Sequence, residues 1–377
     1  MQVEFNTYNE FLVDGLALVL EYGKDHNSRA GITKEIENVQ ITIRNNSRRE
    51  MLLLGRGNNP IATTVETLWV LSGSNNAKWL STYLPRAMEY CDPGSDLWAN
   101  GYGPRLRNWH GKDQIKSAFN ELNNFPESRR CVLGINDPLY CLNEETKDVA
   151  CNLHLNIYLR EKLHLTASSR SMDILWGSAV NFSEWSVLQS MMASWLGKQP
   201  GDYTHFVTSL HLYDSFFEKA KKIVDLNRSK NTDGLHNRLY SEFPVLKMSD
   251  SIEKSFSVFN DVSLLIDDPS YSDMLLKTER YDSSTWENYA VCCLIIGEFI
   301  HHFKTTGKLS HDLFSEYEHF NMFDKTVEII NSRLVESVER VILVEYLLRV
   351  GFLSNSSEVD ITYDEKKFID SYRRLYV

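Results

Sequence analysis

ACNLHLNIYL (residues 150–159) and SSRSMDILWGSAVNFSEW (168–185) are the two stretches that decide how this chain folds. The first alternates apolar and polar side chains and reads as a strand opened by a cysteine, Cys151. The second passes from a hydroxyl-rich turn into a long apolar helix over 183–196. Outward from this centre, 130–135, 163–169 and 204–212 read as further strands, and 39–43 as another. Residues 8–22 form an amphipathic helix, 112–122 a second, and 63–71 a third in which Thr63-x-x-Glu66 fits a capping box. The Gly- and Pro-rich stretch CDPGSDLWANGYGP (91–104) reads as a long functional loop. Strands and helices alternate without βαβ repetition, so the class is α+β with a mixed or antiparallel sheet and packed helices. Beyond a polar, linker-like stretch at 226–235, strand signals fade. Ser284-x-x-Glu287 caps a helix running to Phe303, and Asp324 caps another running to Arg349. The expected division is a catalytic domain over 1–250 and an all-helical C-terminal extension over 265–377.

The chain has 377 residues and a formal net charge of −11, which argues against a direct nucleic-acid binder, since such proteins carry a basic footprint. Met1 to Gly15 show no signal-peptide pattern, and the longest apolar run, Ala290 to Ile296, is far short of the roughly 20 residues that span a bilayer. No membrane association is expected, and a cytoplasmic setting is. The six cysteines show no zinc-ligand spacing, and Glu298, His301 and His302 on one helix turn are too few for a site, so no metal is expected.

The ordered series RRCVLGINDP (129–138), ACNLHLNIYL, Arg170-Ser171-x-Asp173, Gly177-x-x-x-Asn181 and SLHLY (209–213) resembles the thymidylate synthase superfamily, which includes the pyrimidine nucleotide hydroxymethylases. The resemblance covers roughly 20–245 and implies a thymidylate synthase-like fold acting on a pyrimidine nucleoside monophosphate, with 5,10-methylenetetrahydrofolate as co-substrate. It assigns Cys151 as the nucleophile that adds to C6, with Arg170 able to favour its thiolate. It assigns the phosphate to Arg29, Arg170, Ser171 and the pair Arg129 and Arg130, the pair coming from the other subunit of an obligate homodimer. Asn181 reads the base, His211 and Tyr213 the sugar, and Asp173 lies between base and folate; Glu66 organises proton transfers and Tyr102 lies near the proton-abstraction site. Taken alone, each residue has a plainer reading: Cys151 as a small core residue, Arg129 and Arg130 as a solvated charge pair, His211 and Tyr213 as strand residues, Asp173 as a turn cap, Glu66 as a helix cap.

Several positions depart from the methylating members. Ala150-Cys151-Asn152 stands where the family has Pro-Cys-His, Ser169 stands for a glutamine, and Gly177-Ser178-Ala179-Val180-Asn181 loses an aromatic near the folate. A tryptophan of the 91–98 loop is replaced by a small residue, aligned with Ser95. These changes favour hydroxymethylation, in which water attacks the exocyclic methylene, over methylation by hydride. An amide at position 181 leans towards uracil, giving dUMP first, then dCMP or CMP. The alternatives are a divergent thymidylate synthase and an inactive nucleotide-binding dimer. The expected setting is a bacterial or phage-infected cell.

Overall fold

The computed structural model describes residues 1–28, 31–142, 146–229, 235–277, 281–310 and 320–376. One mixed sheet forms its centre: β1 (Gln2–Phe5), β2 (Lys24–Ser28), β3 (Gly31–Ile43), β4 (Val132–Gly134), β5 (Asn152–Leu159), β6 (Leu163–Ser169), β7 (Met172–Asp173) and β8 (Pro200–Tyr213). The order is β1-β3-β8-β6-β5-β4, with β2 pairing β3 and β7 pairing β8. β1–β3, β6–β8 and β7–β8 run parallel, and the other pairs antiparallel. This is the α+β class read from the sequence.

One face of the sheet carries the core: Val39, Ile41 and Ile43 of β3, Leu155, Ile157 and Leu159 of β5, Leu163, Leu165 and Ala167 of β6, and Tyr203 and Val207 of β8 are all buried. Alternation sends their neighbours to the other face, where Phe206 is exposed. A bulge between Asn152 and His154 breaks the alternation of β5, so Asn152 is turned to the core side together with Leu155 and Ile157.

Helices α1 (Tyr8–Tyr22) and α7 (Gly177–Trp195) lie on the core face, and α2 (Pro60–Ser72) packs on α7. Short helices α3 (Ala77–Leu80), α4 (Tyr102–Asn108), α5 (Gln114–Asn124) and α6 (Pro138–Cys141) fill the region between α2 and β4, and α8 (Phe217–Arg228) and α9 (Leu235–Glu242) follow the sheet. Then come α10 (Ile252–Asp267), α11 (Tyr271–Lys277), α12 (Trp286–Thr306), α13 (Met322–Arg333), α14 (Val338–Arg349) and α15 (Tyr363–Tyr376).

Several helix starts differ from the sequence expectation. α2 begins at Pro60, capped by Asn59, whose side chain accepts from the Ala62 amide; Thr63 donates to the Asn59 carbonyl. Glu66 therefore sits inside the helix and caps nothing. α7 begins at Gly177, six residues earlier than its apolar periodicity suggests, which puts Asn181 on the helix. The helix expected to run from Asp324 to Arg349 is two, because Asn321 caps α13 and Ser337 accepts from the Arg340 amide to start α14. In addition, Thr285 and not Ser284 caps α12, accepting from the Asn288 amide.

The helices after residue 250 pack directly on the rest. α10 and α12 lie against α2. Gly297 of α12 crosses so closely that a Cβ there would meet Ile61 Cγ2 at 2.7 Å and the Tyr83 ring at 2.8 Å. Buried Arg49 donates to Glu339 of α14 at 2.9 Å, and Glu339 also accepts from the Leu246 amide.

Candidate functional site

Cys151 stands at the entry to β5, where the Arg170 amide donates to its carbonyl at 3.0 Å. The Arg170 guanidinium bonds the carbonyls of Ala150 and Val149 at 3.0 and 2.8 Å and lies 3.7 Å from Cys151 Sγ. Burial pushes the thiol above its ordinary range, and Arg170 pulls it back only in part.

β7 and the end of β8 bring up the next group. Asp173 pairs His211 in register, and the Ile174 amide donates to the His211 carbonyl at 2.9 Å. The Asp173 carboxylate accepts from the Leu175 and Trp176 amides at 2.9 and 3.3 Å, so its turn-capping reading holds. Burial nevertheless raises its pKa, against those hydrogen bonds and His211. Ser171 Oγ lies 3.5 Å from His211 Nδ1, and the His211 and Tyr213 rings meet edge to face at 5.2 Å.

Asn181 Oδ1 accepts from Asn152 Nδ2 at 2.9 Å. Tyr102 Oη accepts from the Asn152 amide at 3.4 Å, and its ring lies 5.9 Å from that of Trp185. Tyr102 and Asn181 thus meet at Asn152, the residue next to Cys151, and Arg170 lies against Cys151 itself. Burial raises the Tyr102 hydroxyl above its ordinary range.

Glu66 is buried in α2 with no partner for Oε2 among the described residues, and burial lifts its carboxyl to about 7. Across the helix pair, where Thr67 and Ser183 hydroxyls lie 3.2 Å apart, Glu184 of α7 is also buried, its Oε2 without a partner among the described residues. Its pKa is pushed up by burial and by Glu66. Sequence reasoning missed Glu184; a charged residue inside the apolar run SEWSVLQSMM was the available signal. It missed His205 and Trp185 too, and only the buried alternation of β8 could have marked the histidine.

Arg129 and Arg130 are not brought to Cys151 of the same chain. Val132 pairs Asn156, so the two arginines lie further along β5 still, on the order of 20 Å from Cys151. Both are exposed, Arg130 with 85% of its side chain accessible. Arg29 lies outside the described residues. Ser95 sits in an exposed turn, where Oγ accepts from the Leu97 amide at 3.0 Å.

On the far side of Asp173, Trp176 has a buried indole N–H with no partner among the described residues. The Arg56 guanidinium and the Lys219 ammonium lie 5.0 and 4.5 Å from its ring. A planar heterocycle with an acidic tail suits such a wall. Among the described residues no group of His, Cys, Asp and Glu could hold a metal ion, and no helix is long and apolar enough to cross a membrane.

The Thymidylate synthase family profile matches residues 10–268. A deoxyuridylate hydroxymethyltransferase of Bacillus phage SP01 is 30% identical over 72% of this chain and 79% of its own length. Proteins of the same name from Delftia phage PhiW-14 and Pseudomonas phage M6 are 33% and 28% identical, over 58% and 48% of this chain and 63% and 52% of theirs.

Proposed function

Because the chain belongs to the thymidylate synthase family, we propose that it transfers a hydroxymethyl group to C5 of dUMP. The observation that carries this reading is Arg170 against Cys151 and Asn181 on the adjoining Asn152, in a chain with deoxyuridylate hydroxymethyltransferases among its relatives. Cys151 is the nucleophile: its thiolate adds to C6 of the uracil and is expelled from C6 at the end. Loss of the thiol proton needs help, since burial favours the neutral form; Arg170, 3.7 Å away, stabilises the anion. Asn181 faces the base, His211 and Tyr213 the sugar, and Ser171 with Arg170 the phosphate. Glu66, titrating near neutrality, is placed to exchange protons at the pyrimidine carbonyl, and Tyr102 to assist removal of the C5 proton.

5,10-Methylenetetrahydrofolate is the co-substrate and supplies a one-carbon unit at the oxidation level of formaldehyde. Asp173 and Trp176 suit its heterocycle, and Lys219 its acidic tail. Water completes the product. Glu66 and Glu184 give the back of the site two carboxyl groups beside the base, a polar environment that favours water over a dry hydride transfer.

The active species is a homodimer. Arg129 and Arg130 lie too far from Cys151 to serve their own site, and the open sheet face carrying Phe206 offers a surface for a second copy. Each copy then lends its arginine pair to the other's phosphate. The setting is the cytoplasm of a phage-infected bacterium, as for the relatives' hosts.

Incubation with dUMP, dCMP, UMP and CMP plus methylenetetrahydrofolate, followed by mass spectrometry, tests the reading. Expected is a gain of CH2O on dUMP alone without dihydrofolate. Stoichiometric dihydrofolate with a gain of CH2 would make the protein a methylating enzyme. Nucleotide binding without product would make it a binding dimer.

A further inference from the structure

A chain of buried hydrogen bonds runs from the sheet to Asn181. Tyr203 Oη and His205 Nδ1 are 2.7 Å apart, and His205 Nε2 and Ser169 Oγ also 2.7 Å. Ser169 Oγ and Asn152 Oδ1 are 2.9 Å apart, as are Asn152 Nδ2 and Asn181 Oδ1. Every member of this chain can be reversed, and only a group that joins it from the side, Trp185, cannot. A phenol, a neutral imidazole and a hydroxyl each donate or accept, and a carboxamide can turn over. Reversing all of them together would present the Asn181 oxygen to the base in place of its NH2.

Trp185 is the exception, since an indole N–H only donates. Its Nε1 lies 3.3 Å from Asn152 Oδ1, inside the core. That contact requires an oxygen at this position of Asn152, and the rest of the sense follows. Asn152 Nδ2 must face Asn181, Asn181 must answer with Oδ1, and Asn181 Nδ2 is left without a partner among the described residues. Ser169 then donates to Asn152, and His205 donates to Ser169 and accepts from Tyr203. His205 is accordingly a neutral imidazole, its pKa driven down to about 3 by burial.

We propose that Trp185 is a positioning residue for base choice. Its indole N–H, acting through Asn152, holds Asn181 with its NH2 group towards the nucleotide, where it donates to O4 of uracil and opposes the 4-amino group of cytosine. The proposal rests on the reading of Asn181 as the base-facing residue. Selection by hydrogen-bond sense is effective because a wrong base leaves two donors facing each other in a desolvated site.

The test compares equilibrium binding of dUMP and dCMP, by titration calorimetry, to the full chain, Trp185→Phe and Ser169→Ala. The full chain should prefer dUMP. Trp185→Phe, which keeps an aromatic ring but lacks the donor, should reduce that preference about tenfold, the scale of one misdirected buried hydrogen bond. Ser169→Ala keeps the indole contact and should keep the preference. An undiminished preference in Trp185→Phe overturns the proposal, as does an equal loss in both variants, which would reflect packing alone. If the full chain itself shows no preference for dUMP, the uracil reading of Asn181 fails first, and this proposal with it. Should Trp185→Phe not fold, Asn152→Leu frees Asn181 in the same way; the preference must then fall, and its persistence is equally decisive against the proposal.

Discussion

In the proposed reaction Cys151 is a thiol whose pKa burial raises, and Glu66 a carboxyl that burial lifts to about 7. Cys151→Ala should abolish product by roughly 10³-fold or more while leaving nucleotide binding measurable, read by mass spectrometry and calorimetry side by side. For Glu66 the expected sign is plain. The carboxyl changes charge around pH 7, so the profile of kcat/KM against pH should show a limb there, which Glu66→Gln removes. A limb that survives in Glu66→Gln belongs to another group. The residues of this site that the sequence makes legible carry distinctive types at family-like spacings: Cys151, Arg170, Asp173, Asn181. What it hides is direction. Nothing in a linear order says that Asn152, Ser169 and His205 share one buried line, because β5, β6 and β8 bring them together only through register.

At the scale of elements, strands were read well where alternation was uninterrupted, as in 163–169, which matches β6 end to end. β5 holds a bulge that no periodicity reveals. Helix starts were misplaced wherever the cap lay outside the apolar run. Asn59 starts α2 ahead of Thr63, and α7 begins at Gly177, before its apolar stretch and with no side-chain cap at Trp176. The seam between α12 and α2 yields a sharp expectation. Gly297→Ala would place a methyl group 2.7 Å from Ile61, and such overpacking costs about 1–3 kcal/mol. Melting temperature should fall, and activity with it if α2 shifts, since α2 carries Glu66. An unchanged melting curve would mean that Ile61 and Tyr83 yield easily.

Across the whole molecule several carboxyls are weakened as acids by partial or full burial. Burial lifts Glu50, Glu66 and Glu298 each to about 7. Their folded pKa values exceed the unfolded ones, so the native state holds protons that the unfolded chain has released between about pH 4.5 and 7. Stability is therefore greater on the acid side of that window and declines as pH rises through 7, by an amount on the order of 3 kcal/mol per group. Melting temperature should be higher at pH 6.5 than at pH 8. Glu298→Gln, remote in α12, should raise it at pH 8 by a few degrees and change it little at pH 5. Removing residues 265–377 would strip α12 from α2 and leave buried Arg49 without Glu339, a loss of about 3–5 kcal/mol for the ion pair alone. The truncated chain should be insoluble or lack sharp thermal unfolding, by circular dichroism. A soluble fragment with only a raised KM for folate would make those helices a lid.

The crossing of α12 over α2 also sets an order of events during synthesis. α2 leaves the ribosome early, yet the surface that Gly297 covers is completed only when α12 follows, tens of seconds later at ~10 residues per second. Until then Ile61 lacks the helix that covers it, and apolar surface exposed in this way makes a nascent chain prone to aggregate. Slowing the ribosome between α2 and α12 with rare codons should therefore lower the soluble yield, although the protein sequence is unaltered.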